Sequence, residues 1–229
     1  MIRLFALLAV VLLISPAFAD DDEARVHLDW AYLAKYRDQN QTVKSPDIVF
    51  MGDSITEVWL SKRPGFFSDK RLDRGISGQT TQQMLVRFGQ DVVSLHPKLV
   101  QIMGGTNDIA GNTGPMTPDM TKDAIMGMVA IAEANGIKVV LASIPPADHF
   151  VWRPQVTGVA DKIAALNGWL KEYAASQHVP YVDYWSALQD GKGAMKDGYA
   201  MDGVHPTEAG YDVMASVAEP ILKQALAGR

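Results

Sequence analysis

Five short apolar runs punctuate the chain, each bounded by turn-forming residues: Ile48–Met51, Leu72–Ile76, Leu99–Met103, Lys138–Ile144 and Val179–Tyr184. In most of them the apolar positions are continuous rather than alternating, as expected of strands covered on both faces in a parallel sheet. Between most of these runs the pattern changes to a helical period, near 80–93, 118–135 and 156–177. A last helix is predicted from Thr207 to about Ala227, with Tyr211, Met214, Val217, Ala218, Ile221, Leu222 and Ala225 on its apolar face. Ahead of the first strand, Val26, Trp30, Leu33 and Ala34 recur at helical spacing and predict an amphipathic helix from Ala24 to about Gln39. Asn40 to Pro46 reads as a polar connector. Strand–helix alternation of this kind predicts an α/β fold, an open five-stranded parallel sheet with helices on both faces.

The first nineteen residues follow a different grammar. Met1-Ile2-Arg3 is a short basic start, Leu4 to Ile14 is apolar, Ser15-Pro16 breaks the run, and Ala17-Phe18-Ala19 supplies a small-x-small cleavage pattern. That is the layout of a signal peptide over 1–19. The apolar run falls short of the roughly 20 residues a membrane span needs. The expectation is therefore export, periplasmic or secreted, with no stable membrane insertion after cleavage. Residues 20–45 then form a helical leader and 46–229 one compact α/β domain, a division that suits a chain of 229 residues, 48% of them hydrophobic.

The formal net charge is −5, and losing Arg3 with the leader makes it more negative. With no dense Lys/Arg block, nucleic acid is excluded as a partner. The chain has no cysteine. That removes disulfides, a lipid-modified cysteine at the cleavage site, a cysteine nucleophile and thiolate metal sites together.

Three loops leave the C-terminal ends of predicted strands: Gly52-Asp53-Ser54, Ser77-Gly78-Gln79-Thr80 and Gly104-Gly105-Thr106-Asn107-Asp108. Ligands of open parallel sheets bind at that edge, where the strand order reverses. A fourth loop, Asp202-Gly203-Val204-His205-Pro206, precedes the last helix and can reach the same rim. A serine hydroxyl needs an adjacent base, and the base needs an orienting group. Ser54, His205 and Asp202 fill those roles, with Asp202 fixing the tautomer of His205. The backbone N–H groups of Ser54 and Gly78 and the side-chain amide of Asn107 are the candidate oxyanion donors.

These four blocks resemble those of the SGNH (GDSL-type) hydrolases: Gly52-Asp53-Ser54-Ile55-Thr56, Gly75-Ile76-Ser77-Gly78-Gln79-Thr80, Gly105-Thr106-Asn107-Asp108 and Asp202-Gly203-Val204-His205-Pro206. The most similar branch is the bacterial esterases resembling platelet-activating-factor acetylhydrolase subunits. The resemblance spans residues 48 to 206. It implies a flavodoxin-like three-layer α/β/α sandwich, no metal or other cofactor, and hydrolysis of acyl esters by Ser54, Asp202 and His205, with Ser54, Gly78 and Asn107 as the oxyanion hole. One departure is visible: family members often carry Asn where Asp73 or Arg74 precedes Gly75. The expected substrate is a small-molecule ester or an acylated glycan, of acetyl type, on a carbohydrate or lipid-derived alcohol. Acyl transfer on the same scaffold, or polysaccharide binding without catalysis, are the alternative readings.

Other patterns fit the chain less well. No Gly-x-Ser-x-Gly elbow exists for an α/β-hydrolase, and no phosphate-cradling loop supports nucleotide binding. A metal-dependent phosphoesterase built on Asp53, Asn107, Asp108 and His205 is poor in His ligands. Asp148-His149 is the rival acid–base pair, in the loop after the fourth strand. His27 is a further competing base, while His96 and His178, each just ahead of a strand, read as packing or surface residues. Pro145 to Pro154, with Phe150 and Trp152, reads as a substrate-facing wall. Trp59, Phe66-Phe67, Met126 and Met128 read as core, and Asp108 as a hydrogen-bond acceptor that holds its loop.

Overall fold

The computed structural model describes residues 28–43, 45–68 and 70–228. The signal peptide predicted over 1–19, the first part of the leader and His27 lie outside the described residues. Five strands form one sheet: β1 (Ile48–Gly52), β2 (Arg71–Gly75), β3 (Leu99–Ile102), β4 (Lys138–Ala142) and β5 (Tyr181–Val182). All four pairings are parallel, and the spatial order is β2-β1-β3-β4-β5, the flavodoxin-like order. The chain runs from β1 outward to β2, then returns across β1 to β3. The loops after β1 and β3 therefore diverge and open a crevice above the sheet.

Every residue of β1 and β3 is buried, which accounts for the unbroken apolar run of β1; the one polar side chain of β3, Gln101, accepts from the Tyr184 hydroxyl at 2.9 Å. Helices cover both faces: α1 (Ala34–Thr42), α2 (Ser54–Lys62), α3 (Thr81–Asp91), α4 (Thr106–Ala110), α5 (Pro118–Ala134), α6 (Val159–Ser176), α7 (Tyr184–Leu188) and α8 (Glu208–Ala227). Phe50 and Trp59 centre an aromatic cluster with Phe66, Phe67 and Tyr211, so Trp59 belongs to the core, as its sequence suggested. Met128 is buried, but Met126, expected beside it in the core, is exposed because it falls on the outer face of α5.

The leading helix is interrupted where its periodicity predicts continuity. Within the described residues Leu28 is helical, turns follow, and α1 then spans Ala34–Thr42, past the predicted end near Gln39. The reason is competition for backbone groups. Asp29 accepts from the N–H of Leu33 and Ala34 (2.6 and 2.8 Å), fixing the helix start there. Gln83, Gln79 and Gln90 take the carbonyls of Trp30, Ala31 and Leu33 (2.6, 2.7 and 2.7 Å) that a longer helix would use internally. Among the described residues no helix is long and apolar enough to cross a membrane.

Candidate active site

Ser54 is the first residue of α2. The preceding Asp53 accepts from Ile55 N–H at 2.9 Å, capping the helix and setting the sharp exit from β1. Gly52 lies fully buried at the turn, where a Cβ would meet the Thr56 side chain. Its carbonyl accepts from Arg87 Nη2 at 2.8 Å, so the turn is tied from below. Ser54 itself is half-buried, and its N–H is one of the donors a helix leaves unsatisfied at its start.

The Asp202–His205 loop folds locally around its own acid. Ala200 and Pro206 form an antiparallel bridge that closes it, and Met201 N–H donates to His205 O at 2.8 Å. Inside, Asp202 Oδ1 accepts from the N–H groups of Val204 and His205 (3.0 and 2.8 Å). Gly203 takes the turn at φ +87°, a conformation side chains disfavour. Asp202 Oδ2 is left facing His205 Nδ1 at 2.7 Å, and His205 Nε2 lies 2.8 Å from Ser54 Oγ. Burial pushes the Asp202 carboxyl up, but the hydrogen bonds from the His205 backbone, the His205 ring and Val204 outweigh it and hold it below its ordinary value. Tyr211 of α8 donates to Ile55 O at 2.8 Å and locks the loop's helix against the serine's helix.

The three foreseen oxyanion donors reach the same depression, a cavity of about 440 Å³ that Ser54, Gly78, Asn107 and His205 all line. Gly78, at φ +78°, has an N–H with no partner among the described residues. Asn107 differs: its Nδ2 donates to Gln79 O at 3.0 Å and to Asp53 Oδ2 at 3.3 Å, so both amide hydrogens are committed in this state. The bond to Asp53 is the longer of the two. Burial pushes the Asp53 carboxyl up to about 6, against the Ile55 N–H bond and the nearby His205.

Residues with no motif of their own complete the site. Glu57, one turn into α2, accepts from both the N–H and the Oγ of Ser77 (2.7 and 2.6 Å) and pairs with Lys35. It thereby clamps the loop that presents Gly78. Asn112 donates to Asn107 Oδ1 and Gly78 O (2.8 and 3.1 Å) and accepts from Trp152 Nε1 at 3.0 Å. Neither Glu57 nor Asn112 was foreseen, since most of their partners are distant in sequence; only the i+3 spacing of Glu57 from Ser54 on one helix hinted at a shared face.

Trp152 stands with its ring 6.3 Å from that of His205, stacked on the buried Phe150, and walls the depression. The rival pair, His149 with Asp148 at 2.6 Å, is exposed and flanks Gly203; Ser54 meets His205. Asp108 turns away from Ser54, accepting from Thr81 Oγ1 and from Thr121 Oγ1 (3.1 Å), which pins α4 to α3 and α5. His96 and His178 are surface residues. Among the described residues no three His, Cys, Asp or Glu side chains gather as a metal site.

Residues 50–213 match the model of the GDSL-like lipase/acylhydrolase family, most of the chain and all four loops. The chain belongs to this family. Its members are hydrolytic enzymes acting on acyl esters. Among solved structures, an assigned acylhydrolase from Bacteroides fragilis is 46% identical, covering 86% of this chain and 99% of its own, with a TM-score of 0.84. A GDSL-like lipase from Bacteroides thetaiotaomicron is 40% identical over the same shares, with a TM-score of 0.83. An acetylxylan esterase from Geobacillus stearothermophilus shares the fold at 19% identity, covering 79% of this chain and 95% of its own, with a TM-score of 0.61. No curated protein sequence matches the chain.

Proposed function

We propose that this GDSL-family chain is an exported serine esterase that cleaves short, acetyl-type esters of carbohydrate or lipid-derived alcohols through an acyl-serine intermediate. One observation carries the reading: the continuous line Asp202 Oδ2–His205 Nδ1, 2.7 Å, and His205 Nε2–Ser54 Oγ, 2.8 Å. Both spacings lie within hydrogen-bond reach, the condition for an activated hydroxyl.

In the proposed cycle, His205 Nε2 takes the Ser54 proton as Oγ bonds to the ester carbonyl carbon. The carbonyl oxygen becomes an oxyanion, received by the N–H groups of Ser54 and Gly78 and, once it releases Asp53, by Asn107. The nine-residue α2 adds the positive end of its dipole at Ser54. Collapse breaks the bond to the alcohol oxygen, and His205 returns its proton to that oxygen. Water then attacks the acyl carbon with His205 again as base, freeing the carboxylic acid and Ser54. Val58, Trp152 and Met201 bound the space beside Ser54, which favours a small acyl group.

Hydrolysis of p-nitrophenyl acetate, butyrate and longer esters by the mature protein, beside Ser54→Ala, tests this. We expect turnover that requires Ser54 and declines with acyl length. Equal activity in Ser54→Ala would remove the serine from the mechanism. Export is checked separately, by sequencing the N-terminus of protein recovered outside the cytoplasm; cleavage after Ala19 is expected.

A further inference from the structure

A second and larger depression, about 870 Å³, adjoins the Ser54 cavity and shares Val58, Ser77, Gly78, Asn112 and Trp152 with it. An acetyl group over Ser54 does not fill this groove, whose size is that of a small-molecule site. It is therefore the place for the alcohol portion of the ester. Two cations line it, Lys35 and Arg153. Lys35 is neutralised by Glu57. Arg153 is not: it enters no ion pair and no side-chain hydrogen bond among the described residues, and its Nε is a buried donor with no partner.

The groove's acids are occupied elsewhere. Asp29 caps the start of α1 through Leu33 and Ala34, and Glu57 holds Lys35 and Ser77. The arginine is also fixed in place. Its N–H donates to Phe150 O at 3.0 Å, its carbonyl accepts from Val156 N–H at 3.0 Å, and the preceding Trp152 is anchored on Asn112. The guanidinium is thus the one cation lining the groove that no acid among the described residues neutralises. A guanidinium fork matches the paired oxygens of a carboxylate or a phosphate.

We propose that the groove takes esters whose alcohol portion carries an anionic oxygen group, a carboxylate or a phosphate, and that Arg153 binds that group. The inference rests on the esterase reading above, with Ser54 cleaving the ester bond while Arg153 selects the substrate. It separates the role of the groove from that of the Ser54 pocket.

The test uses the mature enzyme and matched acetyl esters: an acetylated neutral hexose against an acetylated hexuronate, and acetylglycerol against acetylglycerol phosphate. We expect wild type to favour at least one anionic member over its neutral partner by about 10- to 100-fold in kcat/KM. The pair that shows the preference identifies carboxylate or phosphate as the source. Arg153→Gln should collapse that ratio, chiefly through KM, and Arg153→Lys should keep part of it. Equal kcat/KM within both pairs for wild type overturns the proposal, as does an Arg153→Gln variant that keeps the preference. Loss of Ser54-dependent turnover on p-nitrophenyl acetate is a separate outcome that strikes the esterase reading. In that event, calorimetric titration of glucuronate and glycerol 3-phosphate into wild type and Arg153→Gln decides the binding claim, which fails if the two proteins bind alike.

Discussion

Asp202 engages its histidine through both oxygens, one on the His205 ring and one on the His205 backbone. Ionised, it can only accept, so Nδ1 must carry the proton and Nε2 is left as the acceptor that faces Ser54. Asp202→Asn keeps the shape but presents either an N–H or a weaker acceptor to Nδ1. The imidazole is then free to hold its proton on Nε2, where it cannot take another from the serine. Turnover should fall by about 10,000-fold with folding intact, as circular dichroism beside a p-nitrophenyl acetate assay would show. Asp73 poses the opposite electrostatic case. Burial pushes its carboxyl up to about 7; its Oδ1 accepts from Gly75 N–H at 2.6 Å, while Oδ2 has no partner. Unfolded, it titrates near 3.8, so between about pH 4 and pH 7 the native state holds more protons than the unfolded chain. Stability contributed by this group is fully present at low pH and is lost as pH rises through that window. Asp73→Asn keeps the acceptor for Gly75 and removes the charge. The variant should gain about 1–3 kcal/mol over wild type at pH 8 and much less at pH 4, read from urea denaturation at the two values. An equal gain at both would mean the charge is not the cost.

Helix α2 and strand β2 approach so closely that one position decides whether they can. A Cβ on Gly75 would lie 2.3 Å from Glu57 N and 2.7 Å from Asp53 O, both backbone atoms that cannot rotate away. Gly75→Ala must push α2 off the sheet, and with it Ser54 and the Glu57 clamp on Ser77. We expect a loss of about 3 kcal/mol or more and a fall in turnover even in the fraction that folds, measured by thermal melts and active-site titration. Ala at Gly65, where a Cβ meets nothing within 4 Å, serves as the control. The elements themselves were legible to different degrees, for physical reasons. Long helices over 118–134, 159–176 and 208–227 repeat their apolar face for several turns, and periodicity finds them. The five-residue helices Thr106–Ala110 and Tyr184–Leu188 complete barely more than one turn and leave no periodic trace. Strand β2 holds Asp73 and Arg74, both buried, because partners from α1 meet them; no local pattern announces such partners. The Ser54, Gly78, Asn107 and Asp202–His205 loops were readable because each is a short block with its own turn chemistry. Glu57, Asn112 and Arg153 were not, since their meaning lies in what the fold brings to them.

At the scale of the molecule, the leader predicted over 20–45 is held to the domain through the described Asp29–Asn40 stretch by a buried polar belt that ends at the serine turn. Asn40 Oδ1 accepts from Arg74 Nε and Nη2 (3.0 and 2.7 Å), and its Nδ2 donates to Asp91 at 2.8 Å. Arg74 also lies 4.6 Å over the Tyr36 ring, and Tyr36 donates to Gly75 O at 2.5 Å. Gln79 joins Ala31 O to Arg87 Nε (2.7 and 2.6 Å), and Arg87 holds Asp91 and Gly52 O. Burial lowers both arginines' affinity for their protons, and the neighbouring acids oppose it. Charges kept this far from water are tolerable only while their partners stay in place. A chain beginning at residue 46 strips Asn40 from Arg74 and Asp91, and Ala31 from Gln79. Each hydrogen bond lost from a buried charged group costs about 1.5–3 kcal/mol, and for a domain of this size each kcal/mol is worth about 2–4 °C. With Arg74 and Asp91 both stripped, the truncated protein should therefore melt about 6–20 °C below the mature one, with serine-dependent turnover lost at temperatures where the mature enzyme is still active. Asn40→Ala should show part of the same loss, because it removes the acceptor of Arg74 while leaving Tyr36 and Ala31 in place. A truncated chain that melts with the mature protein would make residues 28–45 an appendage, and the belt a consequence of folding rather than a condition for it.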